Sequence, residues 1–220
     1  MKALANGFKT YKHGLLIVIY MIFYLFCFFI LENQQIKGRT IIHMEIDDYV
    51  PFVEVFVIPY YMWFGFVALA IVLLIFQNKK EYYKACVFLI TGMTLFLLVS
   101  ALLPNGLQLR PLVMPRDNFF TRMLQGLYQV DTSTNVWPSI HVYNSIGAYI
   151  AITKSRWGRN PIFKMASLGL CISIIASTML IKQHSVFDVI TALCLAGVMY
   201  AIVYRPEAIF RKSRRPQPEI

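Results

Sequence analysis

Two histidines and an aspartate carry the chemistry that this sequence offers. In Lys182-Gln183-His184-Ser185-Val186-Phe187-Asp188, His184 and Asp188 stand four apart, which on a helix puts them on one face and within reach of each other. A carboxylate bonded to one imidazole nitrogen fixes the tautomer and stabilises the charged ring, leaving the other nitrogen free to attack or to take a proton. In Trp137-Pro138-Ser139-Ile140-His141, Pro138 suits the first turn of a helix, so Ser139 and His141 are expected among free backbone N–H groups at the positive end of the dipole. Such a terminus binds anions. Arg110-Pro111 and Pro115-Arg116-Asp117 add guanidinium groups that can grip phosphate bidentately. Each part has a plainer reading by itself: a helix start, a buried histidine, a neutralised carboxylate, a solvated loop arginine. Together at one surface they make a site for phosphoryl transfer on a lipid phosphate.

The elements that must hold these residues lie in a membrane. Of 220 residues 58% are apolar and 15% charged, a balance that excludes an ordinary soluble domain. Apolar runs at about 14–31, 55–76, 85–103, 137–153, 162–181 and 185–204 predict six spans of roughly 20 residues. The fold class expected is therefore all-α, a polytopic membrane protein forming one integral domain over 1–220. The first run is read as a retained span rather than a signal peptide, because Leu-Glu-Asn-Gln follows it with no small-residue cleavage pattern. Lys and Arg fall three in the amino-terminal tail, three at 77–84, four at 154–164 and five in the carboxy-terminal tail, which is 15 on one side. The other side holds Lys37, Arg39, Arg110, Arg116, Arg122 and Lys182. Both termini should then be cytoplasmic and the site residues should face outward, from the plasma membrane if the cell is bacterial. The net charge of +10 reads as a topology signal and not as a nucleic-acid footprint. The basic tail at 211–215 is a solvated run near anionic headgroups.

At these motifs the chain resembles the type 2 phosphatidic acid phosphatase superfamily of six-span lipid phosphatases and phosphotransferases. Its first motif, Lys, six residues, Arg-Pro, is met by Arg110-Pro111 with Leu103 at the lysine position. The second, Pro-Ser-Gly-His, appears as Pro138-Ser139-Ile140-His141. The third, Ser-Arg, five residues, His, three residues, Asp, is met by Ser177, His184 and Asp188, with Thr178 replacing the arginine. The likeness covers about 85–204, and the departures bring it nearer the branch that contains inositol-phosphoceramide and sphingomyelin synthases.

The resemblance implies a mechanism without metal or cofactor. His184 would attack phosphorus, Asp188 would orient it, and His141 would protonate the leaving oxygen and activate the acceptor. Arg110 and Ser139 would hold the phosphate oxygens, and since two family cations are missing, Lys182, then Arg116, is the expected replacement. The implied function is hydrolysis of a lipid phosphate or pyrophosphate at the outer face, or else transfer of a phospho-headgroup to an alcohol. A transporter or non-catalytic lipid-binding protein is the reading from a different class, against which stand the absence of repeats and the retention of both histidines and the aspartate. His43 with Glu45, Asp47 and Asp48 matches no strong metal motif and reads as a solvated loop. Trp63, Trp157, Tyr60 and Tyr61 read as interfacial anchors, His13 as incidental, and the four cysteines as residues of apolar runs.

Overall fold

The computed structural model describes residues 11–34 and 38–213, with side chains through Arg205. Lys2, Lys9, Lys37, Arg214 and Arg215 of the charge count lie outside the described residues. The protein is mostly helical. Its α-helices are α1 (Leu15–Glu32), α2 (Glu45–Tyr49), α3 (Val57–Gln77), α4 (Lys79–Leu102), α5 (Phe119–Val130), α6 (Ile140–Lys154), α7 (Pro161–Leu180) and α8 (Val186–Ser213). Two-residue strands, β1 (Thr40–Ile41) and β2 (Asn105–Gly106), pair in parallel beside the loops.

Among the described residues five helical segments are long and apolar enough to cross a membrane: those containing α1, α3, α4, α7 and α8. This is the signature of an integral membrane protein. The sixth expected run forms α6, whose 15 residues rise only about 22 Å at about 1.5 Å each, short of the ~30 Å hydrocarbon layer. Pro138 does not occupy the first helical turn as expected; it follows Trp137 through a cis peptide bond, Ser139 is the N-cap, and the helix starts at Ile140.

Asparagine caps open α4, α5 and α7. Asn78 accepts from Glu81 N (3.2 Å) to open α4, and Asn160 accepts from Ile162 N (2.9 Å) ahead of Pro161 at the start of α7. The expected loop at 104–136 contains α5, started by a reciprocal capping box between Asn118 and Thr121. α5 buries Leu124 and Leu127 against Val57 and Tyr60 of α3, roofing that end of the bundle.

α6 is the hub, packing on α3, α4, α7 and α8. It approaches α4 closely because two glycines leave room. A Cβ at Gly92 would fall 2.0 Å from the Tyr143 ring, and one at Gly147 2.8 Å from Leu89. Small residues at such contacts let membrane helices approach to backbone distance, where dispersion does the work that water exclusion does elsewhere. Tyr143 lies in that gap and donates to Phe88 O at 2.8 Å, fixing the height of α6 against α4.

Candidate active site

Three connections at the amino-terminal end of α6 converge to build the site. Ser139, fully buried, caps α6 by accepting from Val142 N (3.4 Å), which sets His141 on the first turn. The chain entering it is held by Asn105, whose Oδ1 accepts from Val136 N (2.9 Å) and Trp137 N (3.0 Å). The turn from α7 to α8 carries His184. Its Lys182 adopts a left-handed backbone (φ 55°), ending α7 so that Gln183 N and His184 N both donate to Thr178 O at 2.9 Å.

His184 and Asp188 do meet, Nδ1 to Oδ2 at 3.3 Å, although not as neighbours on one helical face. His184 precedes α8, which begins at Val186. The pairing comes from the helix start: Asp188, in the first turn of α8, accepts from Ser185 N at 3.0 Å with the same oxygen that faces His184, while Ser185 Oγ accepts from Phe187 N at 3.1 Å. The other His184 nitrogen, Nε2, lies 3.4 Å from His141 Nδ1. Both histidines are more than nine-tenths buried and Asp188 is wholly so.

Around His141 the structure adds residues that sequence reasoning did not single out. Asp131 Oδ2 lies 3.9 Å from His141 Nε2, in ion-pair range, and accepts from Tyr60 OH at 2.5 Å. The Tyr60 hydroxyl is also 3.4 Å from His141 Nδ1. Gln183 Nε2 reaches Tyr60 OH at 3.5 Å. Tyr60 and Trp63 are thus not interfacial anchors. Tyr60 is completely buried, and Trp63 packs its ring 4.4 Å, centroid to centroid, from His141. Asp131 reads in sequence as one more outer-loop carboxylate; its place directly after α5 was the available signal.

The cations divide. Arg110 is close: its Nη2 donates to Gln183 Oε1 and to Asp131 O (2.6 Å), Nη1 donates to Tyr128 O (3.2 Å), and the guanidinium lies over the Tyr128 ring. Burial pulls its pKa below the usual arginine value, and its Nε is buried without a partner. Arg116 is elsewhere, gripping Glu54 through Nε (2.7 Å) and Nη2 (2.6 Å), which raises its pKa. Lys182 is not a headgroup-level cation aimed at the histidines. Its Nζ donates to the carbonyls of Asp47 (2.8 Å) and Val50 (2.6 Å), and burial lowers its pKa. Sequence distance from His184 placed its backbone correctly and said nothing of where four methylenes lead.

His141, His184, Gln183 and Asp131 line one end of a cavity of about 390 Å³. The rest of its wall is chiefly apolar and aromatic, with Tyr24, Phe28, Tyr61, Phe64 and Phe96. Three lining residues, Leu25 of α1, Phe64 of α3 and Val130 at the end of α5, are more than half exposed, so the cavity reaches the outside of the bundle, beside the apolar helices α1 and α3. Among the described residues no three His, Cys, Asp or Glu side chains gather to hold a metal ion. In the connection between α1 and α3, His43 Nε2 pairs with Asp48 at 3.0 Å on the exposed surface, while Asp47 is buried rather than solvated. Comparison of the chain with protein-family models, with curated proteins and with solved structures returns no match.

Proposed function

We propose that this chain is a metal-independent lipid phosphatase that hydrolyses a lipid phosphate or pyrophosphate through a phosphohistidine on His184. The observation that carries the reading is the pair of buried histidines, one backed by a carboxylate, at the polar end of an apolar cavity open toward lipid. Soluble phosphate esters need no such wall, whereas a lipid presents its phosphorus with an apolar tail that can lie among Phe28, Tyr61 and Phe64.

The chemistry balances on these residues. Asp188 holds the Nδ1–H of His184, leaving the Nε2 lone pair to form the N–P bond as the P–O bond to the lipid alcohol breaks. His141 gives that leaving oxygen a proton, then takes one from the acceptor as it attacks phosphorus and releases His184. Asp131 and Tyr60 orient His141 and steady its charged form. Arg110, whose guanidinium lies within the same network, is the nearest cation for charge developing on phosphorus. In this reading α6 is the sixth crossing segment, short because helices rather than lipid surround it. Both termini are cytoplasmic and the site faces outward, as the asymmetry of Lys and Arg directs.

One observation favours a second outcome with the same histidines. Asp131 lines the cavity while Lys182 and Arg116 turn elsewhere, which suits a phosphodiester of single charge better than a doubly charged monoester. A lipid phosphotransferase, passing the headgroup to an alcohol, meets that condition. Purified protein given phosphorus-labelled lipid, with and without glycerol or inositol, separates the two. Inorganic phosphate as the labelled product supports hydrolysis, a labelled alcohol ester supports transfer, and no turnover across phosphomonoester, pyrophosphate and phosphodiester lipids overturns both.

A further inference from the structure

The residues that hold His184 in place extend beyond its own turn. The first N–H groups of any helix have no partner within it, and those opening α8 are served from the other side of the molecule. Asp47, in the short helix α2 and only 2% exposed, accepts from Val186 N through Oδ1 at 2.7 Å. Through Oδ2 it accepts from Ser185 Oγ at 2.6 Å and from Met44 N at 2.8 Å. Ser185 Oγ in turn accepts from Phe187 N at 3.1 Å. Lys182 bonds the Asp47 and Val50 carbonyls, and Val53 N donates to Leu180 O at 2.9 Å, so the segment 44–53 is strapped along the whole turn 180–186. A left-handed backbone is disfavoured at a residue that is not glycine, and at Lys182 the side chain is tied down by those two bonds.

We propose that Asp47 is a positioning residue for His184, acting through the start of α8, an inference that rests on the phosphohistidine reading. Asp188 Oδ2 serves both Ser185 N and His184 Nδ1, and its Oδ1 is buried without a partner. With Asp47 gone, the buried Val186 N–H and Ser185 hydroxyl lose their acceptor, and Asp188, already bonded in that turn, has a free oxygen to swing toward them. Drawing Asp188 toward the backbone releases the imidazole. Asp47 therefore keeps Asp188 free to hold the tautomer in which Nε2 is unprotonated and able to attack. Misplacing a reacting group by about 1 Å is worth about a hundredfold in rate.

The test uses the full chain in lipid nanodiscs with ¹⁵N-labelled histidine, the His184 signals being assigned from their loss in a His184→Gln control. In the wild type His184 should show one tautomer with the proton on Nδ1. Asp47→Ala should show mixed tautomers and a kcat lower by about 10- to 100-fold with KM changed less than twofold. Asp47→Asn keeps an oxygen for Val186 N but turns an NH₂ toward Ser185 or Met44, so it should fall between the two and decides the matter if Asp47→Ala does not fold. A folded variant with the wild-type His184 spectrum overturns the positioning role, whatever the activity. A changed spectrum with unchanged turnover instead overturns the catalytic role of His184 and leaves the strap standing.

Discussion

α1 and α6 are both apolar helices of one bundle, and they use their residues in opposite ways. In α1 only Ile17 and Tyr24 of eighteen residues are buried, while Ile19, Ile22, Phe26 and Phe29 face outward. In α6 ten of fifteen residues are buried, including His141, Asn144 and Ser145. In water the most apolar helix would be the innermost. In lipid the tails are as apolar as leucine, so hydropathy marks the outside, and what sorts helices inward is close packing and polar contact. The helix that falls short of a span's length carries half of the candidate site.

The largest effect that sharpens this contrast is chemical. His141→Ala should lower kcat by about 100- to 10,000-fold with a natural lipid, the range for losing a general acid and base, while the first step with a p-nitrophenyl phosphate ester, whose leaving group needs no proton, should be slowed much less and appear as a burst of p-nitrophenol. Equal slowing of the first step with both substrates would remove His141 from proton transfer to the leaving group.

A second effect separates the two helices by packing. Gly92→Ala puts a methyl 2.0 Å from the Tyr143 ring where α6 rests on α4, and should destabilise the protein by about 1 to 3 kcal/mol. Ile22→Ala, on the lipid side of α1, should change stability by no more than about 0.5 kcal/mol. Thermal unfolding in one detergent measures both, and similar melting points would break the comparison.

The smallest effect lies in the connection between α1 and α3. Asp48 accepts from His43 and raises its pKa above the ordinary value. The pair therefore stabilises the fold fully below that ordinary value, and its contribution fades as the pH rises through the raised one. The melting difference between wild type and Asp48→Asn should be small near pH 5.5 and absent near pH 8.5, with turnover unchanged; a difference that grows with pH would contradict the pairing.

What could be read from the sequence follows the same division. The spans follow from hydropathy because the bilayer imposes length and apolarity locally, and α6 blurs because protein, not lipid, surrounds it. The nearness of His141, His184 and Asp188 was legible, since each stands at a helix start on the side that charge asymmetry groups together. Asp131, Tyr60, Gln183 and Asp47 were not. Each looks like an ordinary loop or interface residue, and its meaning comes from a partner dozens of residues away. Lys182 and Arg116 show the converse, for a long flexible side chain goes to the nearest buried acceptor, which for them is the 47–54 segment.

The central claim is that His184 carries phosphorus. Rapid acid-free quenching of the purified protein with phosphorus-labelled lipid, followed by proteolysis and identification of the labelled peptide, tests it directly. The account predicts base-stable, acid-labile label on the peptide containing His184, enriched in His141→Ala with an activated substrate and lost in His184→Ala, with turnover unaffected by excess chelator. Label that persists in His184→Ala, or full turnover by that variant, would contradict it.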